Sequence, residues 1–365
     1  MKSASLLTVP SSISTYSEGQ IKFAGYDLRE LVEKSHYEEV VFLLWNRRLP
    51  SKLELESFKN DLNQSQCLST EAVKGMGALS SSAPIMDKLR TALSFLGCID
   101  PDRDDNGAAS NIRKGLRLVA QMPELISILF QGNQKDSRAV SVSEGDSVAA
   151  RFLHLIHGKK LSSDEIKIFD QAMMVHAEKE FNISTYAARL AASSDADLHS
   201  CVTAAISTLK GALHGGANLK VIEMLKKMQS STQCETFIDD VLKRKEKIFG
   251  FGHLIYKDGD PRSLILKALC QKLARLKNNS QLFEMAEEVE TLMKRKKALL
   301  SNVDFYSAVL YSDLGIPEGL FPAVFAMSRM AGWIAHIMEQ LGRPQILVPR
   351  AEYIGIQDAK YPTSS

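Results

Sequence analysis

The sequence predicts an all-α fold with one short β-hairpin at its start, and two observations carry that expectation. Apolar residues recur at three-to-four spacing through nearly all of the 365-residue chain, whereas strand-like alternation is confined to the stretch before Asp27. The hydrophobic share of 45% against 24% charged residues is enough to bury a sizeable core, in one large domain or two unequal ones.

Taken in order, Ile13 and Thr15, then Ile21 and Phe23, flank a turn-like Ser17-Glu18-Gly19 and predict the hairpin, after which Asp27 opens a helical pattern. Val40, Leu43 and Leu44 share a helix face before Pro50, as do Leu89, Leu93 and Leu96, and Phe152, Leu155 and Ile156. Polar clusters at residues 100–107 (DPDRDDNG), at Gln131-Gly132-Asn133-Gln134 and at Lys277-Asn278-Asn279-Ser280 predict loops, each too short to be a disordered linker.

With 45 Lys and Arg against 43 Asp and Glu, the formal charge is only +2. No global basic field exists for nucleic acid or an anionic membrane, so an anionic ligand must be met by local cations. The basic runs at 243–247 (KRKEK) and 294–297 (KRKK) each end a helical stretch with acids upstream, which suits the helix dipole and a solvated face. Five cysteines, at 67, 98, 201, 234 and 270, are odd in number and widely spaced, which argues against a disulfide framework or zinc knuckle and for a reducing compartment. The opening MKSASLLTVPSS has neither a long apolar segment nor an Arg-rich amphipathic pattern, no later stretch approaches a charge-free membrane span, and a cytoplasmic protein is expected.

Three segments place ionisable groups among glycines or beside chain breaks, where a ligand can approach the backbone. In residues 211–218 (GALHGGAN), His214 falls just before the helix stripe Leu219, Ile222, Leu225, Met228, so a helix dipole should depress its pKa and leave a neutral donor. In residues 249–262 (FGFGHLIYKDGDPR), two glycines precede His253 and a turn precedes Arg262, in the manner of a ligand-wrapping loop. In residues 301–307 (SNVDFYS), Asp304 sits in an apolar junction after the amphipathic helix around 281–298, where desolvation would raise a carboxylate toward a working base. Each has a structural alternative, a helix-capping Asp304 or a hydrogen-bonded core histidine.

Arg329 interrupts a segment apolar on nearly all sides, and a buried guanidinium needs a carboxylate, from another helix or from a ligand. His336 on the same segment reads as a satisfied core residue. No metal site is indicated: His154 and His157 share a face but lack further ligands at usable spacing. Cys201 lies among apolar neighbours and reads as an inert buried thiol.

Together the three segments resemble the citrate synthase family, in which GxxHGGAN, GFGHxxYxxxDPR and NVDFYS segments occur in this order. The resemblance runs from Gly25-Tyr26-Asp27 and Leu89-Arg90-Thr91-Ala92-Leu93-Ser94 through Ser328-Arg329-Met330-Ala331-Gly332-Trp333 to Tyr353-Ile354-Gly355, and the length suits compact bacterial and archaeal citrate and 2-methylcitrate synthases. It implies an acyltransferase of the tricarboxylic acid cycle type that condenses acetyl-CoA or propionyl-CoA with oxaloacetate or a related 2-oxo acid. Asp304 would take the α-proton, His214 would hydrogen-bond the thioester oxygen, and His253 would protonate the 2-oxo carbonyl. Arg262 and Arg329 would bind substrate carboxylates. Coenzyme A would pack against the loop around Ile248 to Gly252, including Phe249, Gly250 and Gly252, with Lys297 on its phosphates.

Also implied are a large domain of residues 1–215 and 316–365, a small mobile domain of residues 216–315, a homodimer, and no cofactor, acyl-CoA being a substrate. Two departures stand out. Where the family has a histidine in an Asp/Glu-His-Glu segment, this chain reads Glu178-Lys179-Glu180, and the family's Arg-Pro near the end is Val348-Pro349 with Arg350 after it. Lys179 would then supply a substrate-binding cation at another point of the pocket, with altered geometry. Leu254, where many relatives have arginine or proline, would adjust the CoA side. The departures motivate one alternative, a catalytically impaired relative that binds CoA or a dicarboxylate for regulation or assembly.

Overall fold

The computed structural model describes residues 9–132, 145–212, 214–228, 230–253, 255–256, 258–343, 345–348, 351–359 and 361. Among them the chain opens with β1 (Ser14–Ser17), β2 (Gln20–Phe23) and β3 (Tyr26–Asp27) in one antiparallel sheet of order β1-β2-β3. The expected hairpin has Ser17 paired with Gln20. Its two turn residues, Glu18 and Gly19, both have positive φ (51° and 75°), which matches the right-handed twist of the strands. The short third strand was not expected from the sequence; it uses the two residues that lead into the first helix.

Sixteen α-helices follow among the described residues. They are α1 (Leu28–Lys34), α2 (Tyr37–Asn46), α3 (Lys52–Gln64), α4 (Thr70–Gly77), α5 (Ile85–Ile99), α6 (Ala108–Gln131), α7 (Val148–His157) and α8 (Ser163–Ala177), then α9 (Ile183–Ala192), α10 (Leu198–Leu209), α11 (Ala217–Leu225) and α12 (Cys234–Lys243), and finally α13 (Pro261–Lys277), α14 (Gln281–Lys297), α15 (Val303–Asp313) and α16 (Phe321–Leu341). Short polar side chains start many of them. Asp27 caps α1, while Ser51 with Glu54 and Ser162 with Glu165 form reciprocal capping boxes at α3 and α8. The predicted breaks fall between α5 and α6 and between α13 and α14, where Asn278 closes α13 in the left-handed region. In the third break, α6 ends at Gln131 and Gly132, while Asn133 and Gln134 lie outside the described residues.

The core is organised around α16, which is buried on all sides and packs against α2, α5, α6, α8, α9 and α10. Close crossings are set by glycine: a Cβ on Gly115 of α6 would lie 2.9 Å from the Trp45 ring, and one on Gly332 of α16 would lie 2.5 Å from the Ala177 carbonyl oxygen. The segment Glu318–Leu341 is long and apolar enough to cross a membrane by length and composition, yet 89% of its most apolar window is buried in the protein. Helices α11 to α15 pack among themselves and meet the rest of the molecule mainly through α13 on α8 and α11 on α16. The end of α8 and the starts of α11, α13 and α15 therefore come together.

Candidate active site

Asp304 is placed by three interlocking chain ends. Asn302, the N-cap of α15, accepts the Asp304 amide at 3.0 Å, and Asp260, the N-cap of α13, accepts the Val303 amide at 3.1 Å. The glycine loop before α13 is strapped to the same junction. Gly252 donates to the Leu300 carbonyl (2.9 Å), Asn302 donates through its amide to the Gly250 carbonyl (2.9 Å), and its side chain donates to that of Gly252 (3.0 Å). Gly250 is in the left-handed region (φ 84°), and an added Cβ would come within 2.8 Å of Phe305 and 2.9 Å of Val221. Only glycine fits there. Burial raises the Asp304 carboxyl from 3.8 to about 6, against the pull of the Arg262 cation, so it is deprotonated near neutrality and still basic. The capping reading is thereby corrected, since Asn302 rather than Asp304 caps α15.

His253 leaves that loop toward α8. Its Nδ1 accepts the amides of Ile255 (3.1 Å) and Tyr256 (2.9 Å), its ring stacks on Tyr256 at 4.2 Å, and its Nε2 lies 3.0 Å from Lys179 Nζ. Lys179 follows α8 directly, so the residue at the departure from the family pattern touches His253. Burial first, then the Arg262 and Arg329 cations, lower the Lys179 ammonium to about 7.

His214 sits in the α10–α11 turn, where Gly215 is obligatory because a Cβ would collide with the Leu209 carbonyl. Its pKa falls to about 4, as the sequence suggests, but the causes are burial first and then the Arg329 and Lys179 cations. Nε2 lies 3.0 Å from the Ser184 hydroxyl. That hydroxyl donates its one proton to Asn182 Oδ1 at 2.5 Å, so toward His214 it accepts, and the neutral ring carries its proton on Nε2. Ser184 carried no signal in the sequence analysis.

Two buried arginines complete the cluster. Arg262 Nε and Nη2 are held by Asp260 at 2.9 and 2.7 Å, which leaves Nη1 beyond that fork. Arg329 donates Nε to the His176 carbonyl at 2.5 Å, while its buried Nη2 has no hydrogen-bond partner among the described residues. Glu178 contributes charge but no direct bond to Arg329: its Oε1 takes Ser14 Oγ (2.9 Å) and His336 Nε2 (3.0 Å), and its Oε2 is likewise unpartnered. Of the two partners considered for Arg329, no protein carboxylate among the described residues makes an ion pair with it. His336 is a satisfied core residue, as expected. Lys179 thus lies beside His253 and within electrostatic reach of His214, Asp304, Arg262 and Arg329.

The remaining positions are less central. Phe249 carries Lys247 over its ring at 5.3 Å, and Lys297 is exposed at the end of α14 with no carboxylate in ion-pair range among the described residues. The neighbouring Arg295 and Lys296 pair with Glu235 and Asp239, as a solvated face does. Val348 is exposed, while Pro349, Arg350 and Leu254 lie outside the described residues. His154 meets Asp146 at 3.2 Å, and no cluster suited to a metal is found among the described residues. Cys201 is buried and its thiol is pushed up to about 12, first by burial. A cavity of about 450 Å³ lined by Glu38, Lys59 and Arg151 shares no lining residue with this cluster.

Comparison with known proteins agrees with this geometry. The family described as "Citrate synthase, C-terminal domain" matches residues 3–350. Citrate synthase 2 of Bacillus subtilis (strain 168) is 39% identical over 98% of this chain and 96% of its own length, and 2-methylcitrate synthase of Shewanella oneidensis is 36% identical over 97% and 93%. The crystal structure of citrate synthase from Thermotoga maritima MSB8 superposes with a TM-score of 0.86 at 32% identity, over 98% of this chain and 96% of that one. A likeness that spans the whole chain, and not only its three signature segments, makes this protein a member of the citrate synthase family.

Proposed function

We propose that the protein condenses a short acyl-CoA, acetyl-CoA or propionyl-CoA, with oxaloacetate, giving citrate or 2-methylcitrate and free CoA. The observation that supports this most is the Asp304 carboxyl, half-buried and held at a pKa of about 6, while His214 is held neutral, both within electrostatic reach of Lys179 and Arg329. A base of that strength removes the α-proton of a thioester whose oxygen a neutral imidazole polarises, because the enol forms without a free charge. The enol carbon attacks the 2-oxo carbonyl, whose oxygen takes a proton from His253, and hydrolysis of the citryl-CoA type intermediate releases CoA.

Arg329, with an unpartnered buried donor, and the free side of Arg262 hold the carboxylates of the 2-oxo acid, and Lys179 adds a third cation. CoA lies along Phe249, Gly250 and Gly252, with Lys297 on its phosphates. Residues 216–315 act as a small domain that closes over the substrates against residues 1–215 and 316–365, excluding water. The working form is a cytoplasmic homodimer with no cofactor. Steady-state thiol release with oxaloacetate and either acetyl-CoA or propionyl-CoA tests the reading. Turnover with at least one is expected; CoA binding without turnover of either would refute it and favour the impaired relative.

A further inference from the structure

Resting on that reading, one contact decides more than a substrate list does. His253 Nδ1 accepts two backbone amides, so its lone pair is committed and the neutral ring must carry its proton on Nε2. Nε2–H therefore faces Lys179 Nζ at 3.0 Å, and a donor there needs an acceptor. An ammonium has no lone pair. The alternative, an ammonium donating to a bare Nε2, would put the ring proton on Nδ1, against two N–H groups.

We propose that Lys179 rests as a neutral amine accepting the His253 Nε2–H, takes up one proton from solvent when the dianionic 2-oxo acid enters, and then returns it through His253 to the new hydroxyl. In balance, the ammonium first neutralises ligand charge and frees Nε2–H to turn to the 2-oxo carbonyl. As the carbon–carbon bond forms, the carbonyl π pair moves onto oxygen and takes the Nε2 proton, while Lys179 gives its extra proton to Nε2. Lys179 ends neutral, and the α-proton stays on Asp304. Lys179 thus acts as a proton-holding and positioning residue through His253, on the hydroxyl side of the reaction.

The surroundings support a neutral resting amine. Arg262 from α13, Arg329 from α16 and His214 from the α10–α11 turn face Lys179 as actual or incipient cations, and Asp260, Glu180 and Asp304 oppose them. Glu178 is already engaged by His336 and Ser14. The Tyr256 ring, 5.3 Å from Nζ, also carries Arg262 and the stacked His253. Burial together with two arginines holds the amine to about 7, so a dicarboxylate between these groups reverses the balance.

Calorimetry of oxaloacetate binding to the intact protein at pH 8, in phosphate and in Tris, reads the proton directly. Uptake of about one proton per site is expected, with the dissociation constant rising about tenfold per pH unit above 7. Lys179→Met should abolish the uptake and that slope. Lys179→Arg should bind independently of pH and keep KM near wild type while kcat falls, because guanidinium holds its proton. Binding by the wild-type protein without proton uptake, or the same uptake by Lys179→Met, would overturn the proposal, and absence of any binding heat would overturn both this and the proposed function. Proton-linked binding with no condensation of either acyl-CoA sinks the proposed function alone.

Discussion

Replacing Asp260 by asparagine tests the joint on which the site is built. The carboxylate is 2% exposed and accepts four hydrogen bonds: from the Arg262 amide (3.1 Å), from Arg262 Nε (2.9 Å) and Nη2 (2.7 Å), and from the Val303 amide (3.1 Å). Burial pushes its pKa up, but the Arg262 pair outweighs burial and holds it below its ordinary 3.8. In Asp260→Asn the Oδ2 position becomes an NH₂ facing Arg262 Nη2 and the Val303 amide, two donors against a donor. The Arg262 charge is left buried and unpaired, so a loss of about 3–5 kcal/mol in unfolding free energy is expected. Because the native pKa is depressed, this stabilisation is complete above pH ~4 and is lost as pH falls through the native value, so wild type and variant should converge in acid. Asp304 responds as well. Asp260 raises and Arg262 lowers its pKa, so neutralising Asp260 should move the acid limb of the pH–rate profile below 6. Urea unfolding near neutral pH and the rate profile check both effects. A loss under about 1 kcal/mol at neutral pH, smaller than a typical buried-pair rupture, or a limb that moves upward, would refute the reasoning.

Gly250→Ala should cost about 2–5 kcal/mol, combining a left-handed alanine with overpacking against Phe305 and Val221, and should lower kcat by misplacing His253 and Asp304 together; urea unfolding and kinetics read it. Arg329→Met should leave stability within about 1 kcal/mol of wild type or increase it, since no carboxylate among the described residues pairs with that guanidinium, while KM for the 2-oxo acid rises about 10²-fold.

Helical periodicity made most of the fold legible, because a buried stripe is a local property. The caps Ser51, Ser162 and Asn302 at the starts of α3, α8 and α15 were not read from the sequence. β3 was not legible, since two residues carry no alternation. Within the site, His214, His253 and Asp304 were marked by their glycines and chain breaks, and Arg329 by the apolar run around it. Asp260 stood in the 249–262 segment without a role and Ser184 was not singled out, because their roles depend on partners 43 and 30 residues away. The Lys179–His253 contact spans 74 residues and joins the end of α8 to a loop before α13. Local pattern could show that Lys179 departs from the family, but not that it touches the proton donor. The His214 pKa was read in the right direction from a helix dipole, whereas the folded chain adds burial and two distant cations.

The claim that Asp304 is the base of the condensation is tested most directly by kcat/KM for the acyl-CoA across pH 5 to 8, in the wild-type protein and in Asp304→Asn. The wild-type protein should lose activity about tenfold per unit as pH falls below about 6, where the carboxylate takes up its proton, and the variant should be about 10²–10⁴-fold slower throughout. An Asp304→Asn enzyme within tenfold of wild type, with the acid limb still present, would contradict the assignment.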